Sequence, residues 1–415
     1  MVGLVDGNNF FVSCERVFNP QLRRRAVAVL SNNDGCCVAR SNELKAMGVA
    51  MGTPYFQLRH RETSGEIIFC SSNFELYGDM SSRMISVLRQ DAVEVEQYSI
   101  DEAFIYPPSS VLNDLERYGK GLRSKVLRWV GIPCGVGFAE TKTLAKIANH
   151  IGKKRSDGVY VMPRDNSFIL DKLPVDEVWG VGRRLVVKLK AERIFTAKHL
   201  RDANDQILKS IGGVSLLRTA MELRGISCYE ERDYEACPDS VSCSRSFGVP
   251  ATELQEIEES IASFTSQAAE KLRRYSMLAT GCNVYSQIFA EGGGGKCIAK
   301  TVVFPTLTDA TNEMISAIHP HIASLFIPGM RYRKTGIVFF GLEKSDSHHQ
   351  SDLFNFSSNP RQSSLYKAVD ALNAKYGRGK VFSALEGIGE RSWQMKREKL
   401  SKRATTRWDE IITVK

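Results

Sequence analysis

The chain has 415 residues, 43% hydrophobic and 25% charged, which allows roughly two to four domains, each with its own core. No stretch approaches the roughly 20 apolar residues that span a bilayer, so a membrane-spanning class is excluded. The net charge of +9 is concentrated at the end: residues 357–415 hold 13 Lys+Arg against 6 Asp+Glu, a basic surface of the kind that suits polyanions. Ten cysteines are scattered without a C-x-x-C pair and read as reduced thiols rather than zinc ligands. The N-terminus MVGLVDGNNFF lacks a basic leader, which makes the cytoplasm the expected location.

In chain order, Gly3–Asp6 is a short apolar run ending at Gly7-Asn8-Asn9, a strand whose exit presents Asp6. Residues 26–69 hold short apolar runs broken by turn residues, a small loop-rich lobe. Val93–Tyr106 predicts a hairpin with Asp101 and Glu102 near its turn, and Cys134–Phe138 a strand feeding a helix over Thr141–Ile151. Together these pieces predict a split βαβ sheet with helices behind it. Leu173–Leu200, with Gly180 and Gly182 interrupting helical patterns, predicts a helix-hairpin-helix.

Ile226–Ser240 is poor in apolar residues and reads as a tether. A βαββαβ order then follows, with strands Val241–Phe247, Ala279–Phe289, Cys297–Pro305 and Arg331–Leu342 and helices Glu253–Tyr275 and Thr311–Phe326. The first of these helices spaces Leu254, Ile257, Ile261, Phe264, Ala268 and Leu272 by threes and fours, one apolar face that needs a sheet to cover it. Gly292–Gly295 reads as a flexible loop, and Gln350–Lys415 as a partly ordered basic appendage. The fold class is therefore α+β and multi-domain.

Asp6 and the Asp101-Glu102 pair fall on strands expected to be neighbours, which gathers three carboxylates. Two Mg²⁺ ions about 3.5–4 Å apart are the natural neutraliser, clamping the entering and leaving oxygens of a phosphoryl displacement. Taken singly, each carboxylate reads more readily as a turn or cap residue.

The segments D-G-N-N-F-F, S-N-N-D-G-C-C-V-A-R-S-N-E, Y-S-I-D-E-A-F, T-K-T-L-A-K-I-A-N-H and W-G-V-G-R-R resemble, in order and spacing, the Y-family DNA polymerases, most closely the UmuC type. The resemblance implies a right-hand polymerase, error-prone and acting in SOS-type damage tolerance. It places a ferredoxin-like palm over 1–25 and 71–165, small fingers over 26–70, a helix-hairpin-helix thumb over 166–236, a βαββαβ little finger over 241–345, and a clamp-binding segment with basic tail over 346–415. Asp6, Asp101 and Glu102 match the metal ligands, Phe11 the aromatic steric gate against a 2′-OH, and Lys153 the lysine that neutralises the triphosphate. In a strand, Phe10 beside the gate would face the other way.

The fingers depart from the DNA polymerase IV branch, which has a hydroxyl, a tyrosine and an arginine at steps of three where this chain has Ala39, Asn42 and Lys45. Lys45 keeps the charge but loses the bidentate fork, with Ser41 and Arg40 as substitutes. Gly180, Gly182, Arg183 and Arg184 would approach DNA phosphates, and Arg245, Lys300, Arg331, Arg333 and Lys334 would line the template. Gln350, Leu353 and Phe354 fit the Q-x-x-L-F pattern that binds a sliding clamp. Primed DNA and deoxynucleotides are the implied substrates, and a cleaved UmuD-type dimer and RecA the implied activators, with nucleoid association when active. A catalytically dead accessory protein and a nucleotide cyclase are the competing readings; intact carboxylates oppose the first, and the basic tail has no task in the second.

Overall fold

The computed structural model describes residues 1–229, 238–290, 295–345, 360–377, 379–389, 391 and 393–411. The chain divides into two compact units, one of residues 1–31, 35–235 and 399–415, the other of 32–34 and 236–398. Among the described residues no helix is long and apolar enough to cross a membrane.

The first unit runs β1 (Val2–Gly7), α1 (Phe10–Phe18), β2 (Ala26–Leu30), β3 (Cys37–Arg40), α2 (Asn42–Ala46), α3 (Tyr55–Thr63), β4 (Ile67–Ser71), α4 (Phe74–Leu88), β5 (Glu94–Gln97), β6 (Glu102–Tyr106), α5 (Leu115–Val130), β7 (Cys134–Ala139), α6 (Lys142–Gly152), β8 (Val159–Val161), α7 (Ser167–Lys172), α8 (Arg183–Ala191), α9 (Ala197–Asp202) and α10 (Asp205–Leu223). Its main sheet has the order β5-β6-β1-β7-β8, and a smaller sheet has the order β3-β2-β4. Strand β1 is central and covered on both sides, so it reads as an unbroken apolar run. Val5, Ile105, Val136 and Phe138 face one core. Val2, Leu4, Phe104 and Ala139 face another, which also takes in α6. Gly137 lets α6 lie directly on the sheet, because a Cβ there would come within 2.0 Å of the Asn149 backbone nitrogen. Asn149 seals this contact by donating to the Leu4 carbonyl at 3.2 Å.

One local expectation fails here. Phe10 and Phe11 open helix α1 rather than continuing a strand, because Asn9 turns the chain with φ 48°, the left-handed region asparagine tolerates. Their divergence is the roughly 100° step of a helix.

The second unit runs β9 (Val241–Ala251), α11 (Leu254–Arg274), β10 (Met277–Ile288), β11 (Cys297–Thr308), α12 (Thr311–Ile322), β12 (Tyr332–Lys344) and α13 (Pro360–Tyr376), with the antiparallel sheet order β11-β10-β12-β9. The apolar stripe of α11 packs on Cys243, Cys282, Ile337 and Phe339 of that sheet. A capping box between Glu253 and Glu256 fixes where the helix starts.

The tail is more ordered than its polar composition suggests. In the second unit Trp393 is buried edge-on against Phe264, Ser266 donates to Glu386 at 2.7 Å, and Arg273 makes a paired contact with Asp370. In the first unit, Lys399 exchanges backbone and side-chain bonds with Ser71 at the end of β4. Polar residues with no helical or strand period are held by specific partners, which periodicity cannot forecast. The loop at residues 292–295 lies partly, and the clamp-pattern residues Gln350, Leu353 and Phe354 lie wholly, outside the described residues.

Candidate active site

Strand pairing sets the site. Asp6 lies opposite Glu102 on β6 and opposite Gly135 on β7, and Gly7 N–H donates to the Asp101 carbonyl at 2.8 Å. Asp6 shares the side of β1 that carries Val2 and Leu4, so its carboxylate is drawn toward α6 and largely out of water. Burial is the main reason its pKa is raised to about 7; Lys153 opposes that shift, and Glu102 and Asp101 add to it.

Each carboxylate has a partner. Lys153, capping α6, places its ammonium 2.6 Å from Asp6. Gly135 makes room for it: a Cβ there would meet the Lys153 Cγ at 2.8 Å. Lys146 on the same helix reaches Glu102 at 2.7 Å and lies over the rings of Tyr98, at 4.3 Å, and Trp179, at 5.3 Å. The Trp179 indole N–H donates to the Tyr98 hydroxyl at 3.2 Å, fixing that aromatic surround. Ser99 donates to Asp101 at 2.6 Å and accepts from the Asp101 and Glu102 backbone N–H groups, which sets the turn of the hairpin. Next to them Lys142 and Glu96 form a buried ion pair at 2.5 Å.

As placed, no three His, Cys, Asp or Glu side chains among the described residues converge closely enough to hold a metal. The residues nevertheless suit a divalent cation. All the donors are carboxylate oxygens at one end of β1 and β6, and burial together with two neighbouring carboxylates pushes Asp6 toward its neutral form, an imbalance that added positive charge relieves.

Phe11 stacks on Tyr77 with ring centroids 4.5 Å apart at 14° and meets Phe74 edge-on at 6.0 Å. Lys45 donates to Asn9 at 2.6 Å, and Asn9 donates to Asn42 at 2.9 Å. Partial burial, then Arg40 and Lys153, hold the Lys45 ammonium below its usual pKa, while the charge of Asp6 opposes that shift. Neither proposed finger substitute is free. Ser41 is buried, caps α2 and donates to the Arg25 carbonyl, and Arg40 donates to the Val49 carbonyl at 2.6 Å. Ala39 is buried in the core.

Gly180 has φ 87°, and Gly182 caps α8, with Arg183 and Arg184 exposed just after it. The expected template-lining set does not share one face. Arg245 pairs with Thr335, and Lys300 with Val284; both partners are on the helix-covered side of the sheet. Lys334 lies on the other side, in register with Ser246 and Gln287, and 5.9 Å over the Tyr285 ring. Arg333 donates to Gln287 at 3.2 Å, and Arg331 lies over the Phe289 ring. A register shift between Tyr332 and Lys334 separates these neighbours, a feature alternation cannot reveal. Sequence reasoning also overlooked Lys146 as a partner of Glu102, although its seven-residue offset from Lys153 along one helix face was a usable signal.

The impB/mucB/samB family matches residues 5–150, and the C-terminal domain of that family matches residues 238–353. A domain of unknown function matches residues 363–414. The chain is 39% identical to protein UmuC of Salmonella typhimurium, with 100% of each chain covered, and 38% identical to protein ImpB of the same species, with 99% of each covered. It is 27% identical to DNA polymerase IV 1 of Bacillus subtilis, with 90% of each covered. Among solved structures, a Y-family DNA polymerase chimaera built on Dbh aligns with a TM-score of 0.65 at 21% identity, covering 83% of this chain and 99% of its own.

Proposed function

The chain belongs to the impB/mucB/samB family and is a translesion DNA-directed DNA polymerase of the UmuC type, and from that premise we propose that Asp6, Asp101 and Glu102 form its catalytic metal site. The observation that carries this reading is the pairing of Asp6 with Glu102 across β1 and β6, with Asp101 one residue away and Lys153 and Lys146 against two of the three carboxylates. Two Mg²⁺ ions held there would supply the charge that activates a primer 3′-OH and stabilises the leaving pyrophosphate.

The chain's own residues do the rest. Lys153 and Lys45, close enough to Asp6 to feel its charge, attract the triphosphate. Phe11, stiffened by its stack on Tyr77, closes the space beneath the sugar against a 2′-OH. Asp101 is held by Ser99, which limits the rearrangement it needs to meet a cation.

The palm over 1–25 and 71–165, fingers over 26–70, thumb over 166–236, little finger over 241–345 and clamp-binding segment with tail over 346–415 follow from the same reading. So do primed DNA and deoxynucleotides as ligands, the phosphate contacts at Gly180, Gly182, Arg183 and Arg184, and clamp binding through Gln350, Leu353 and Phe354. A cleaved UmuD-type dimer and RecA are the proposed activators, in the cytoplasm and at the nucleoid. Primer extension with Mg²⁺ and four deoxynucleotides, on an undamaged and an abasic template and with those activators present, tests the proposal. Extension by wild type and none by Asp101→Asn, at equal DNA affinity, is the expected result; extension by both removes the metal-site assignment.

A further inference from the structure

Residues 399–403 lie within the stretch matched by a domain of unknown function, yet they pack in the unit that holds the carboxylates. The Lys399 N–H donates to the Ser71 hydroxyl at 2.9 Å, and its carbonyl accepts from the Ser71 N–H at 2.9 Å, which lays the segment along the end of β4. Its ammonium reaches Glu62 at 2.6 Å. Two residues on, the Ser401 hydroxyl donates to Glu15 Oε1 at 3.0 Å.

Glu15 is a buried carboxylate on α1, 3% exposed, four residues after Phe11. Its other donor is the hydroxyl of Tyr77, fully buried, at 2.6 Å. The Tyr77 ring is the surface on which Phe11 stacks. Ser401 also accepts from Asn73 Nδ2 at 2.9 Å, and Asn73 caps α4, the helix that carries Tyr77, by accepting from the Leu76 N–H. Ser401 therefore joins the carboxylate that holds the Tyr77 phenol to the residue that starts the Tyr77 helix.

We propose that Ser401 is a positioning residue for sugar selection: acting through Glu15 and Tyr77, the C-terminal segment holds Phe11 in the place from which it excludes a 2′-OH. A buried carboxylate needs its donors. Burial pushes the Glu15 carboxyl up, and the bonds from Tyr77 and Ser401 pull it back. Without the Ser401 hydroxyl, Glu15 takes up a proton or shifts toward water, and the phenol that follows it carries the stacked ring along. A close-packed stack transmits such a shift because its neighbours leave no slack. The proposal rests on the reading of Phe11 as the gate.

The test uses the full chain with its proposed activators and measures kcat/KM for a deoxynucleotide and for the matching ribonucleotide. Phe11→Leu should lower the discrimination ratio by about 100-fold, and Ser401→Ala and Tyr77→Phe by about 5-fold each, with Ser401→Thr restoring the wild-type ratio. Loss of a merely structural contact would slow both nucleotides alike and leave the ratio unmoved. If Phe11→Leu lowers the ratio while Ser401→Ala and Tyr77→Phe both keep the wild-type value, the positioning role is wrong and the gate stands. If Phe11→Leu keeps the wild-type ratio, the gate reading fails and takes this proposal with it. Should Ser401→Ala not fold, Tyr77→Phe, which keeps the ring and removes only the donor, decides the matter.

Discussion

The main sheets of the two units handle charge in opposite ways. In the first, Asp6 near the end of β1 and Asp101 and Glu102 at the start of β6 bring carboxylates together, and the helix behind them supplies Lys153 to Asp6 and Lys146 to Glu102. In the second, strands of 11–13 residues present one side to an apolar core; Lys334 lies on the other side, Arg331 just before β12, and Arg245 and Lys300 on the outer strands β9 and β11. Sheets backed by helices thus differ in what they place against the helix: the first sets carboxylates against lysines, the second apolar side chains.

Substitutions can break this contrast at either end, and the largest effect is expected at the carboxylates. Asp101→Asn should lower nucleotide addition by at least about 1,000-fold while leaving the melting temperature near wild type, as checked by single-turnover kinetics and calorimetry. Next come two stability losses of equal size and different origin. Lys142→Met strands the buried Glu96 charge in the first unit, and Phe339→Ala opens a cavity in the second; each should cost about 3–5 kcal/mol in chemical unfolding. The smallest effect sharpens the picture of the lysine partners. Gly135→Ala should crowd the Lys153 stem and raise KM for the incoming nucleotide by about 3- to 10-fold with little change in stability, measured by steady-state kinetics.

How much of this was legible depended on whether a feature is written in a local pattern. The apolar steps from Leu254 to Leu272 place α11 to within a residue at each end, because a helix face has one period and the sheet beneath it only has to be apolar. The neighbouring strands of Asp6 and Glu102 follow from two short runs bounded by turns. What escaped was set by partners distant in sequence. Ser401 meets Glu15 across 386 positions, and no pattern near either one announces it. Phe11 reads as a strand residue until Asn9 is seen to turn the chain into α1. Arg245 and Lys300 look like surface cations in the sequence, yet register puts them on a different side from Lys334, since a shift of one residue reverses a strand.

The most direct test of the proposal that Asp6 on β1, Asp101 and Glu102 bind the cations of a polymerase is a Mn²⁺ titration followed by electron paramagnetic resonance in the presence of primed DNA and a non-hydrolysable deoxynucleotide. Wild type should retain bound Mn²⁺, and Asp6→Asn and Asp101→Asn should each lose it while still binding the DNA. Equal Mn²⁺ affinity in all three proteins would contradict it.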